Sequence, residues 1–406
     1  MMNQKKIMMN CKKVVVVGAG VGGAGVALAL RSAGYQGELT LIGEEQIPPY
    51  DRPPLSKGIL TGAVKTDQVF CRKRYTYAAQ NIDLRLGMRV EAFDIQEQRL
   101  KFSDAEPLSY DALVIATGAR PKRLPGITAT DTHVRTLRTL DDAMDLKAEL
   151  LPGRHIVVIG GGVLGLEVAA SARRLGCRVT VIELADQLLA RVVPPVVGSF
   201  FAELHRAQGT SVLTGRRIAS ISAGSAPNKI VLDDGSVCEA DVILAAIGAT
   251  PNDELARAAG ISIDDGVITD ICGHSSIAGI WAVGDVARIS DEGVLRARYE
   301  SVAHTSHRAR VVAVGMLGHA APVDEPMWFW SDQHNVKLQG IGLTRADDEL
   351  VVVGSPREGS FATYAIRENR IVAVTMVNRM RDFLRAKQMV AQGAPASQIK
   401  QVTEQA

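Results

Sequence analysis

The chain has 406 residues, enough for two or three domains. Hydrophobic residues make up 47% and charged residues 22%, the balance of an ordinary globular protein, and the formal net charge of +2 is too small to imply a nucleic-acid partner. The five cysteines, Cys11, Cys71, Cys177, Cys238 and Cys272, form no C-x-x-C pair and no zinc-like spacing; they read as free thiols of a reducing compartment, and no metal is expected.

Lys5, Lys6, Lys12 and Lys13 precede an uncharged stretch from Val14 to Leu30, an outline shared with secretory signals. Five glycines inside that stretch argue otherwise, because cleavage would remove a nucleotide site. The stretch therefore reads as strand, turn and helix of a cytoplasmic enzyme, with Met8 or Met9 as an alternative start. Its motif, KKVVVVGAGVGG, carries Gly18, Gly20 and Gly23. In a dinucleotide turn the first glycine permits the sharp bend and the second lets backbone approach a pyrophosphate. The third lets helix and strand pack closely, with the phosphate at the helix N-terminus. The next strand, LTLIGEE, ends at Glu44, with Glu45 as the near alternative. A carboxylate there accepts hydrogen bonds from ribose hydroxyls.

DALVIATGARP, starting at Asp111, reads as a buried strand that closes this first unit and carries Thr117 and Gly118. A second motif, HIVVIGGGVLG, carries Gly160, Gly162 and Gly165, 142 positions after the first. Its following strand, VTVIE, ends at Glu183, at the expected interval for a ribose-binding acid. A carboxylate there repels a 2′-phosphate, and no arginine follows until Arg191, so NADH is favoured over NADPH. DVILAAIGATP, from Asp241, repeats the closing strand. Each glycine motif thus opens a unit that such a strand closes, and the spacing leaves room for one nucleotide domain inserted into another. Two dinucleotide sites in one chain point to hydride transfer between a flavin (FAD) and NADH.

GIWAVGDVA, from Gly279 to Ala287, returns to the first domain. Its Asp285, followed by Val286, reads either as an acceptor for a flavin ribitol hydroxyl or as a helix N-cap. From about Glu325 the character changes. Trp328, Phe329 and Trp330 cluster in PMWFWSDQ, and VKLQGIG, ELVVVG, FATYAI and RIVAVTMV follow as an antiparallel sheet, closed by a helix over MRDFLRAKQMVAQG. The expected fold class is α/β, with two Rossmann-like doubly wound nucleotide domains and a C-terminal α+β domain. The boundaries are 1–117 with 248–325 for FAD, 118–247 for NAD and 326–406 for the last domain.

PYDRPPLSK (Pro49 to Lys57), ATG at 116–118, the second glycine motif running into GLE, GDVA and FWSDQ occur in one order. That order resembles the flavin-dependent ferredoxin reductases of bacterial oxygenase systems, over roughly Lys13 to Phe383. The resemblance implies a glutathione-reductase-like arrangement. It implies that Arg52 and Lys57 line the FAD site, with Lys57 near the flavin N5 edge. Glu167 would lie near the nicotinamide and pair with Lys57. Trp330 would pack beside the isoalloxazine, although a core tryptophan has the same appearance in sequence. His304 and His307 stand where small amides are expected, and with no third ligand nearby they read as packed or solvated side chains.

Related disulfide reductases carry C-x-x-x-x-C where this chain has PYDRPPLSKGIL. Electrons must then leave the flavin directly. The expected function is NADH:ferredoxin reduction, feeding an oxygenase of aromatic hydrocarbon catabolism through an acidic 2Fe-2S ferredoxin. Alternatives are a rubredoxin reductase, a flavin NADH oxidase or a redox-sensing flavoprotein. No membrane segment is expected.

Overall fold

The computed structural model describes residues 11–125, 133–222, 227–320, 322–323 and 325–399. Lys5, Lys6, Met8 and Met9 lie outside them. The chain forms two compact units: residues 1–51, 69–120 and 249–325, and residues 52–68, 121–248 and 326–406.

The first unit is built on a five-stranded parallel sheet. Its order is Ile280–Ala282, Ala112–Ile115, Lys13–Val17, Glu38–Ile42, Asp83–Arg85. KVVVV and ALVI form central strands because a parallel sheet is covered on both faces, which suits unbroken β-branched runs. Helix Val21–Ser32 packs against helix Val302–Met316 closely enough that a Cβ on Gly25 would stand 2.9 Å from the Ala309 Cβ.

The second unit repeats this plan. Its parallel sheet runs Thr210–Leu213, Arg178–Ile182, His155–Ile159, Val242–Ala245, Val134–Arg135. The two expected closing strands hold the same station, each beside the strand that precedes a glycine turn. Each is preceded by a three-stranded antiparallel meander, where the sequence suggests a hairpin.

The second unit also contains an antiparallel sheet ordered Trp328–Gln333, Val336–Gly342, Arg370–Val377, Ser360–Arg367, Glu349–Ser355. The aromatic cluster is thus itself the edge strand. Phe329 pairs with Gly340, whose missing side chain leaves room for the ring. The expected final helix divides into a 3-10 turn, Met380–Asp382, and an α-helix, Phe383–Gln392, ended by Gly393 at φ 54°. Among the described residues no helix is long and apolar enough to cross a membrane.

Candidate active site

The two glycine turns have the same geometry. Gly18 and Gly160 sit at φ 109° and 111°, and a Cβ on either would strike the backbone that follows the neighbouring closing strand. A Cβ on Gly23 would stand 1.9 Å from the Gly18 carbonyl oxygen, and one on Gly165 2.1 Å from that of Gly160. Gly20 and Gly162 differ: a Cβ on either would meet nothing within 4 Å. Each is the N-cap of its helix, no side chain caps either end, and neither first turn holds an acid. Both helices therefore present uncapped amides to an open cradle, which fits a pyrophosphate.

Glu183 stands directly after its strand and is fixed by two amides. Gly161 N–H donates to its Oε2 at 2.6 Å and Ala185 N–H to its Oε1 at 2.8 Å. A carboxylate retains acceptor capacity beyond two bonds, so ribose hydroxyls remain within its means. In the first unit Gly43 occupies the position after the strand, packed on Ala19, and the acids come later. Glu44 is exposed and pairs with Arg89 at 3.0 Å; Glu45 accepts from the Tyr50 hydroxyl at 2.7 Å. Thr117 and Asn252 clasp one another, Thr117 Oγ1 donating to the Asn252 carbonyl at 2.7 Å and Asn252 Nδ2 to the Thr117 carbonyl at 2.9 Å. Gly118 accepts from the Asn252 amide. Asn252 carries no sequence signal of this clasp.

Asp285 and the buried Val286 lie in a 3-10 turn, Gly284–Val286, whose N-cap is Val283, so the N-cap reading of Asp285 does not hold. Arg298 donates to the Asp285 carbonyl. His304 stacks edge-on with Tyr299, and His307 is buried in helix Val302–Met316. Asp270, Cys272 and His274 bring three potential ligand atoms within 4.8 Å. That carboxylate already accepts from the Cys272 and His274 amides and from His274 Nδ1, which explains the cluster as a loop clasp.

In the second unit the chemistry converges on Glu167, near the start of helix Val163–Arg174 and only 4% exposed. Lys57 Nζ lies 2.7 Å from Glu167 Oε2. Ser56 Oγ donates to the same oxygen, and Ser331 Oγ donates to Oε1 at 2.7 Å. Ser171, one turn along the helix, donates to the Ser56 carbonyl and ties the PPLSK turn to it. Arg52, at the head of that turn, donates to the Arg138 carbonyl.

Strand alternation places Ser331 and Trp330 on opposite faces. Trp330 is half-buried, 5.4 Å from Trp328, which in turn contacts Phe383 and lies under Lys387. Sequence reading misses Ser56, Ser331, Gln333 and the buried His205. The signal was present in FWSDQ, where Ser331 and Gln333 alternate as a polar pair on one face.

All five cysteines are free. Burial, with Asp111 nearby, pushes the Cys11 thiol up to about 11. Burial beside Asp51 pushes Cys71 up to about 12. Burial likewise raises Cys177, Cys238 and Cys272, so none is poised as a thiolate.

Two uncapped glycine turns on two parallel sheets, with no activated thiol, define a dinucleotide-dependent oxidoreductase. The chain belongs to the pyridine nucleotide-disulphide oxidoreductase family, whose model matches residues 12–310, and residues 328–405 match the reductase C-terminal domain. It is 37% identical to putidaredoxin reductase of Pseudomonas putida, over 94% of this chain and 92% of that one. It is 38% identical to the ferredoxin–NAD(+) reductase component of the anthranilate 1,2-dioxygenase system of Burkholderia cepacia, over 95% and 96%. The reductase in the crystal structure of the covalent putidaredoxin reductase–putidaredoxin complex superposes with a TM-score of 0.91, at 36% identity over 95% and 94%.

Proposed function

We propose that this protein is a cytoplasmic, FAD-dependent NADH:ferredoxin reductase that feeds electrons to an oxygenase. The observation that carries the reading is the pair of uncapped glycine helices in a chain without an activated thiol. FAD supplies the conversion from two-electron hydride acceptance to one-electron delivery. Gly18, Gly20, Gly23, Glu44, Arg52, Lys57, Thr117, Gly118, Asp285, Val286 and Trp330 are assigned to FAD. Gly160, Gly162, Gly165 and Glu183 hold NADH, and Glu167 orients its nicotinamide. The functional division follows 1–117 with 248–325, 118–247 and 326–406. One relative named above is a dioxygenase-system ferredoxin–NAD(+) reductase component and the matched structure holds a reductase with putidaredoxin, which supports a small protein carrier, here assigned as a 2Fe-2S ferredoxin. Purified protein should be yellow and release FAD on denaturation; colourless protein that regains no flavin band with added FAD would refute the assignment.

Glu183 carries coenzyme choice. Glu183→Ala should lower kcat/KM for NADH by about 1–3 kcal/mol while NADPH use holds or rises. Equal use of both coenzymes by the wild type removes this role from Glu183.

An acidic ferredoxin needs a basic dock, because the net charge of +2 offers little long-range attraction. Arg381 is exposed in the 3-10 turn, Arg385 follows in the helix, and Lys387 lies 6.0 Å over Trp328. Arg379, paired with Asp382 at 2.6 Å, precedes them in the same stretch. The double charge reversal Arg381→Glu/Arg385→Glu should slow ferredoxin reduction and flatten its salt dependence, while NADH-to-ferricyanide activity survives. Unchanged ferredoxin turnover and salt slope would place the dock elsewhere.

A further inference from the structure

Behind the Lys57–Glu167 pair runs a line of buried polar side chains. Ser331 Oγ donates to Glu167 Oε1 at 2.7 Å. Gln333 Nε2 donates to Ser331 Oγ at 3.1 Å. His205 Nε2 lies 2.9 Å from Gln333 Oε1. Ser331, Gln333 and His205 are each fully buried. They come from different elements, the edge strand Trp328–Gln333 and the helix Pro195–Ala207.

The line has one direction. The Gln333 amide spends its nitrogen on Ser331, so its oxygen faces the imidazole and must accept. His205 therefore carries its proton on Nε2. The Ser331 oxygen accepts from Gln333, which leaves the Ser331 proton for Glu167. Every donor points toward the carboxylate, and with Lys57 and Ser56 on the other oxygen, an acceptor-only carboxylate satisfies them all. Among the described residues His205 Nδ1 is buried without a hydrogen-bond partner, as is Nε2 of His334, whose ring stands 4.9 Å away. Burial, with His334 beside it, lowers the His205 pKa to about 4, so a second proton is disfavoured. The imidazole stays neutral at working pH and the polarity of the line does not invert.

We propose that Gln333 and His205 are positioning residues which, through Ser331, fix the orientation of the Glu167 carboxylate and hence its pairing with Lys57. The proposal rests on reading Glu167 as the group beside the nicotinamide.

The test compares the flavin-loaded wild type with Ser331→Ala and with the double variant His205→Phe/Gln333→Met. The double variant replaces both members of one hydrogen bond by apolar groups of similar shape, which spares the fold the cost of an orphaned partner. Stopped-flow reduction by NADH gives a limiting rate and an apparent Kd. Infrared difference spectra against Glu167→Gln give the carboxylate band of Glu167. Both variants should lose about three- to tenfold in limiting rate, the scale of one neutral hydrogen bond, with the apparent Kd within about twofold of wild type. Both should shift the carboxylate band in the same direction. A folded double variant with the wild-type rate and an unshifted band overturns the proposal. If the double variant does not fold, Ser331→Ala decides alone by the same two readings. If Glu167→Gln itself leaves the limiting rate unchanged, the nicotinamide reading of Glu167 falls, and the band shift still judges the line.

Discussion

Gly165→Ala is expected to keep its yellow colour and lose NADH turnover by about 100-fold or more. Its new Cβ would stand 2.1 Å from the Gly160 carbonyl oxygen and 3.2 Å from Val158 Cγ1. The first obstacle is backbone, so the helix must lift off its strand rather than a rotamer adjust. That movement withdraws the uncapped amides of helix Val163–Arg174 from the pyrophosphate of NADH. The first glycine turn, which is assigned to the FAD pyrophosphate, is untouched, so flavin content should stay near one per chain. Gly23→Ala is the mirror experiment: its Cβ would stand 1.9 Å from the Gly18 oxygen, and that protein should purify largely colourless. Flavin content and NADH-dependent bleaching, measured on both variants, check the pair of expectations. Wild-type turnover by Gly165→Ala would remove the second glycine turn from the reaction.

Lys57→Met should cost about 2–4 kcal/mol of stability and most of the NADH activity. The partner left behind, Glu167, is 4% exposed, and a buried carboxylate without its counter-charge is costly. Lys57 itself is 21% exposed, and Ser56 and Ser331 still donate, which keeps the loss below the upper range for a broken buried pair. Adding Glu167→Leu removes the orphaned charge, so Lys57→Met/Glu167→Leu should recover much of the lost stability and none of the activity. Denaturant midpoints of wild type, both single variants and the double variant measure this coupling. Additive midpoints would mean that the two side chains do not depend on one another.

The glycine turns were legible because the constraint on them is steric and local. A backbone at φ near 110° and a carbonyl 2 Å from a would-be Cβ leave only glycine, and the spacing follows. The closing strands were legible for a similar reason: ALVI and VILA, buried on both faces, have no polar alternation. The first-unit acid was less clear. Gly43 takes the position that Glu183 holds in the second unit, so the repeat is offset by one residue at the point where it matters. The aromatic strand reads in sequence as a cluster before a sheet because three large rings mask period-two alternation. Its polar face, Ser331 and Gln333, only gains meaning once Glu167 and His205 come to meet it from distant segments. The sequence pattern starts the final helix at Met380, but its first turn is 3-10, which local periodicity does not distinguish.

Electrons should pass from NADH through this flavoprotein to a one-electron protein carrier. The direct measurement is anaerobic: catalytic enzyme, excess NADH and a purified 2Fe-2S ferredoxin, followed at the nicotinamide and iron–sulfur absorbance bands together. Two ferredoxins should be reduced for each NADH consumed, NADPH should substitute poorly, and the rate should fall as salt rises. NADH oxidation that begins only when oxygen is admitted, with every member of a ferredoxin and rubredoxin panel left oxidised, would rule out this electron path.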